Sequence, residues 1–222
     1  MAALDKMIKK GFIDYTKKHY PDEAEKIIQK ADELFPVLYA KAPDIGGEEN
    51  RMKYNLDLMI MSASFYEASD HHIDGSAITE IGEEIFSKYR FIGKVVNLNR
   101  KWQLKLFRSA MYKMYTPYAE LVAEKKARGE WGNTWGVQIN PRNTEEGVCF
   151  ELVGCPLADY AKANGYEDLL PHMCATDHLI ASLVHAKLIR THTCATGSKT
   201  CDYWYVGDES ETARTYADVK MV

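Results

Sequence analysis

Apolar residues recur at helical spacing through the first part of the chain. Leu4, Met7, Ile8, Gly11, Phe12 and Tyr15 fall three or four residues apart, and Ala24, Ile27, Ile28, Ala31, Leu34, Phe35 and Leu38 repeat the stripe after Pro21. Pro43-Asp44-Ile45-Gly46-Gly47 interrupts the pattern before it resumes over 56–68. Asp74-Gly75-Ser76 interrupts it again before 77–89, and a last helical stretch covers 102–122, where Pro117 is expected to bend or divide it. Each stretch predicts a helix with one face for a core. The polar run Glu124-Lys125-Lys126-Ala127-Arg128-Gly129-Glu130 closes this region, and the period then changes. Strands are predicted over 135–139, 148–153, 187–194 and 200–206, interleaved with helices over 156–163 and 171–186. Asn164-Gly165 suits a helix stop, Pro171 a first helical turn, and Ala195-Thr196-Gly197-Ser198-Lys199 a hairpin-like connection. Helices first and strands afterwards predict an α+β protein. A helical region over 1–130 precedes a region over 131–222 in which two helices pack on a small antiparallel sheet.

The chain has 222 residues, of which 46% are hydrophobic, enough to bury a conventional core without staples. Its net charge of -4 carries no basic stripe, which argues against a nucleic-acid partner and for a small-molecule substrate. No apolar run approaches the roughly 18 residues of a membrane span, and the N-terminus lacks a signal-peptide core. A cytoplasmic protein without membrane association is expected, and homo-oligomerisation is left open. All five cysteines fall at 149, 155, 174, 194 and 201. Without an export signal they are expected as reduced thiols, not as a disulfide framework.

Candidate chemistry gathers around Cys174-Ala175-Thr176-Asp177. A helix opening near Pro171 sets Cys174, Asp177, His178, Ala181 and His185 in one stripe, with Leu179, Ile180, Leu183 and Val184 for the core. At a helix start, free N–H groups would lower the Cys174 pKa and make it a nucleophile. A lone cysteine more often packs as a small hydrophobe, and a lone histidine more often meets solvent. It is the clustering that favours function. In the strand over 187–194, alternation puts Arg190, His192 and Cys194 on one face and Ile189, Thr191 and Thr193 on the other, and Asp202 points away from Cys201. The cysteines and His192 could ligate a soft metal, but no C-x-x-C pair starts a zinc site, so neither metal nor cofactor is expected. His71-His72 reads as a polar helix end, and Gly46-Gly47 as a loop end or a close approach to a ligand. The nucleotide-binding glycine motifs and G-x-S-x-G are absent.

Gly154-Cys155-Pro156, Cys174-x-x-Asp177, Arg190-Thr191-His192-Thr193-Cys194-Ala195-Thr196-Gly197 and Cys201-Asp202-Tyr203 follow one another in an order that resembles the L-2-amino-thiazoline-4-carboxylic acid hydrolase family. Pro43-Asp44-Ile45-Gly46-Gly47 with Asn50 resembles that family's P-x-I-G-G-x-x-N segment. The resemblance implies a hydrolase opening a small cyclic amidine such as 2-aminothiazoline-4-carboxylate, at a carbon–nitrogen or carbon–sulfur bond, on the way to L-cysteine. It implies catalytic roles for Cys174 as nucleophile, Asp177, Cys201 and Asp202. Substrate binding falls to Cys155, Arg190 as the partner of a carboxylate, Thr193, His178 and Gly197. Cys194 stands where the family often has an apolar residue. The parts around Cys174 and Thr193-Cys194-Ala195-Thr196-Gly197 are also similar to organomercurial lyase, which implies a thiol site for a soft metal or organometal. A non-catalytic binding protein of the same fold is the third alternative.

Overall fold

The computed structural model describes residues 2–216. Five helices come first: α1 (Ala2–His19), α2 (Ala24–Tyr39), α3 (Lys53–Ala68), α4 (Gly75–Ser87) and α5 (Lys101–Ala127). Then follow β1 (Gly136–Ile139), β2 (Val148–Val153), α6 (Pro156–Asn164), α7 (Leu170–Ser182), β3 (Ala186–Ile189), β4 (Thr200–Gly207) and α8 (Glu211–Thr215). The strands form one antiparallel sheet in the order β1-β2-β4-β3. The fold is α+β, as the change of period predicts. None of these helices is long and apolar enough to cross a membrane.

Strand alternation gives the sheet two different faces. Phe150 and Leu152 of β2 pair with Tyr203 and Cys201 of β4, and this face meets α5 and α7. Cys149, Trp204 and Val206 occupy the other face, where they pack with Ile189 and with Ala213 of α8. One apolar core runs from Phe12, Leu56, Ile60 and Phe65 of the helices to Phe150, Leu152, Tyr160 and Cys201.

The continuity of α5, the end of α7 and the end of β3 differ from the expectations. Helix α5 is undivided, because Pro117 lies on its exposed side, where the carbonyl left without its usual donor meets water. Helix α7 stops at Ser182 and not at 186: the chain turns through His185 at φ 54 and enters β3 at Ala186. Apolar periodicity does not register this turn, since Val184 packs against a cluster that holds Ala186 and Leu188 as well. Strand β3 ends at Ile189, five residues earlier than expected. The N–H groups of Thr191 and His192 donate to the side chain of Asp202, at 2.9 and 3.0 Å, in place of continuing the ladder. The hairpin connection therefore spans 190–199.

The Pro43-Asp44-Ile45-Gly46-Gly47 segment with Asn50 is a structural joint. Gly46 has φ 95, and a Cβ there would run into the Trp131 ring, so its close approach is to protein. Asn50 is fully buried and uses its whole hydrogen-bonding capacity. Its Nδ2 donates to the Ile45 carbonyl and to Thr134 Oγ1, both at 2.6 Å. Its Oδ1 accepts from Met52 N–H at 2.9 Å and from Tyr118 OH at 3.1 Å. One amide thus ties the loop before α3 to α5 and to the approach to β1. Asn50→Ala leaves these partners unpaired in the core and is expected to lower stability by about 2–4 kcal/mol, read as a shifted urea midpoint.

Candidate active site

Beyond the end of β3, Arg190 enters the space between α7 and β4, where it is 0% exposed. Nη2 donates to Asp177 Oδ2 at 2.9 Å, Nη1 to the Cys174 carbonyl at 3.2 Å and Nε to the Asp202 carbonyl at 3.2 Å. Its guanidinium carbon lies 4.1 Å from the centre of the Tyr203 ring. A buried cation costs several kcal/mol unless it is paired, and these four partners offset that cost. The guanidinium is committed to the protein, so the reading of Arg190 as a receptor for a substrate carboxylate does not fit its surroundings.

Asp177 is the part of this network that reaches solvent, with a side chain 29% exposed. Tyr203 OH also donates to Oδ2, at 3.1 Å, so both donors converge on one oxygen. Four phenols stand around the carboxylate: Tyr54 of α3, Tyr115 of α5, and Tyr203 and Tyr205 of β4. All four are raised above an ordinary tyrosine, by burial first and with the charge of Asp177 adding to it. Burial, with the Asp177 charge beside it, keeps these hydroxyls protonated.

Four of the five cysteines belong here; Cys149 lies on the opposite face of the sheet. The Cys194 N–H donates to Cys201 Sγ at 3.2 Å. The Cys194 thiol is within hydrogen-bonding reach of both Cys155 and Cys201. It has one proton to give and serves one neighbour at a time, so it supports a single thiolate shared between them. Cys155 is the residue before α6 and is part-exposed. Its thiol is lowered to about 7, by the Cys194 hydrogen bond first, which together with the N–H groups of Ala158 and Leu157 and the Trp135 indole overcomes burial. Cys201 is lowered as well, again by Cys194 first, but it is buried.

Cys174 behaves in the opposite way. It is the fifth residue of α7, beyond the free N–H groups of the first turn. Burial pushes its thiol up, and the charge of Asp177 pushes it further. The lowered pKa expected for Cys174 is found at Cys155. Cys155 and Cys201 both stand close enough for their charge to act on Cys174, so the separate motifs meet in one place.

Other residues singled out in the sequence hold the site from outside. Asp202 is 1% exposed on the far face of the sheet. It accepts from Thr191 and His192 N–H, from Thr191 OH at 2.8 Å and from Arg142 Nη2 at 2.9 Å. Burial alone would raise its carboxyl, but these donors hold it below the usual range. Thr193 is buried and caps the short turn Cys194–Thr196, its Oγ1 accepting the Thr196 N–H at 3.2 Å, and Gly197 closes that turn at φ 93. These two residues set the position of Cys194. His178 is part-buried on α7, one turn beyond Cys174. His185 has left the helix, and its Nδ1 lies 3.7 Å from Asp208. Tyr54, Tyr115, Tyr205 and Trp135 were not singled out, because each comes from a different element or a position without a motif. Among the described residues, no three Cys, His, Asp or Glu side chains are arranged to hold a metal ion.

Residues 53–205 match a family model described as L-2-amino-thiazoline-4-carboxylic acid hydrolase. No curated protein and no solved structure matches the chain. The matched span runs from the start of α3 into β4 and contains every thiol, phenol and charged group of the site. Limiting iodoacetamide followed by peptide mass mapping is expected to label Cys155 first, with a midpoint near pH 7, and Cys174 far more slowly across the neutral range. Cys194→Ala should move the Cys155 midpoint upward. Preferential labelling of Cys174 would contradict this order.

Proposed function

The chain belongs to the L-2-amino-thiazoline-4-carboxylic acid hydrolase family, and from that premise we propose that it adds water to 2-aminothiazoline-4-carboxylate, or to a related small cyclic amidine, with Cys155 as the nucleophile. The observation that carries this reading is the part-exposed Cys155 thiol, favoured as a thiolate at the start of α6, in one site with Asp177 and a protonated Cys174.

The chemistry follows from these charges. A 2-aminothiazoline is protonated as an amidinium, and its C2, flanked by nitrogen and sulfur, is electrophilic. Asp177 has Oδ2 occupied by Arg190 and Tyr203, and Oδ1 accepts from the amidinium N–H groups. The Cys155 thiolate adds to C2. The adduct collapses by breaking the ring carbon–sulfur or carbon–nitrogen bond, and Cys174 gives its proton to the departing ring atom. Water then attacks the same carbon and displaces Cys155 as thiolate; its oxygen stays with the product and its proton restores Cys174. Burial and the charge of Asp177 keep Cys174 protonated in the resting enzyme, so its proton is in place when the ring atom departs.

Mass spectrometry of the products should show a gain of one water, and Cys155→Ser should abolish it. Asp177→Asn should lower kcat on the order of a hundredfold. That variant is to be read beside its Tm, since unpairing Arg190 costs about 3 kcal/mol of stability. Undiminished turnover by Cys155→Ser contradicts the assignment of the nucleophile.

A further inference from the structure

The side chains around Asp177 specify which part of a ligand the site reads, given the proposed function as a starting point. Tyr203 stacks on Phe150 with ring centres 4.8 Å apart, and Tyr115 leans on the same ring at 4.6 Å. Tyr205 lies beside Tyr203 at 6.3 Å. Tyr54 approaches from α3, close enough for its phenol to act on those of Tyr115 and Tyr205. The hydroxyls of Tyr115 and Tyr205 have no hydrogen-bond partner among the described residues, and neither is sealed from solvent. They are polar groups left open within an aromatic wall.

The charges of the site have one sign to offer. Asp177 and the thiolate of Cys155 are anions. Arg190 is the cation that acts on Cys174, Cys201, Tyr203 and Tyr205 alike. Each of its three nitrogens already donates within the protein. Arg190 offsets one of these two anions, so an incoming carboxylate meets one net negative charge, whereas an incoming cation neutralises it. The protein also supplies its own example of the preferred guest, because the planar guanidinium of Arg190 lies on the Tyr203 ring while its edge meets Asp177. A protonated 2-aminothiazoline has the same planar, delocalised cation, suited to aromatic faces on its flat side and to a carboxylate at its edge.

We propose that the site selects its substrate as a planar amidinium cation, held among Tyr54, Tyr115 and Tyr205 against Asp177, and that a carboxylate on ring carbon 4 adds little to affinity. The substrate class is therefore small cyclic amidines and isothioureas, with or without an acid group.

Four ligands separate the two determinants: 2-amino-2-thiazoline, its 4-carboxylate, and the two isosteres in which a neutral ring carbonyl replaces the amidinium, with and without the carboxylate. Stopped-flow intrinsic fluorescence of the wild-type chain reads binding before turnover. Replacing the amidinium by the carbonyl is expected to weaken binding about tenfold or more, and deleting the carboxylate to change it by less than about threefold. Tyr115→Leu should weaken the two amidinium ligands and leave the carbonyl ligands unchanged. Affinity that follows the carboxylate, or no binding by either amidinium, overturns the inference. Ring opening is followed separately by mass spectrometry. An amidinium that binds by these rules but is not opened defeats the proposed hydrolysis and leaves the inference standing; one that is opened only when its carboxylate secures binding defeats the inference alone.

Discussion

The burial of one guanidinium organises this site. Arg190 sits without solvent between a helix and a strand, and such a charge persists only with its donors satisfied and its charge met. Each requirement fixes something else. The Cys174 carbonyl and the Asp177 carboxylate must stand on the facing side of α7, one turn apart, and the Asp202 carbonyl must face inward from β4. The aromatic ring beneath the cation must be held in place, as Tyr203 is through its stack on Phe150. Asp177 is then orientated by partners that leave one of its oxygens to the site.

The turn that carries Arg190 is held from the other face by Asp202, whose carboxylate takes the N–H groups of Thr191 and His192. Two residues further on, Thr193 and Gly197 shape the short turn that presents Cys194 to Cys155 and Cys201. The two aspartates thus divide the work by face: Asp177 looks into the site, and Asp202 holds the strand end that builds it. The thiols divide by environment. Cys155 has a helix start and a thiol donor, whereas Cys174 has burial and a neighbouring anion. Thiols of one residue type are thereby driven toward opposite protonation states.

Much of this was legible in the sequence where a pattern is local. The helices of the first half, the strand over 148–153 and the stop at Gly165 follow from periodicity and turn chemistry, and the motifs around Cys155, Cys174, Arg190 and Cys201 do meet. What the pattern could not reveal is non-local. Spacing from Pro171 predicts Cys174 at a helix start, but the helix begins one residue earlier and the thiol is governed by burial and Asp177. Strand alternation runs on through His192 in the sequence, because nothing near Arg190 announces that a side chain twelve residues on, Asp202, replaces the ladder. A basic residue in a motif suggested anion binding, and only the packing around Arg190 reveals that its charge is already met. Tyr54 and Tyr115 carry no signature, since they reach the site from helices whose pattern speaks only of packing.

Identification of the residue that becomes covalently attached to substrate tests the account most directly. Rapid acid quench of the wild-type chain during turnover of 2-aminothiazoline-4-carboxylate, followed by peptide mapping, should find the ring-derived carbon on the Cys155 peptide and on no other thiol. An adduct on Cys174 or Cys201, or full turnover with no adduct while Cys155→Ser remains active, would contradict it.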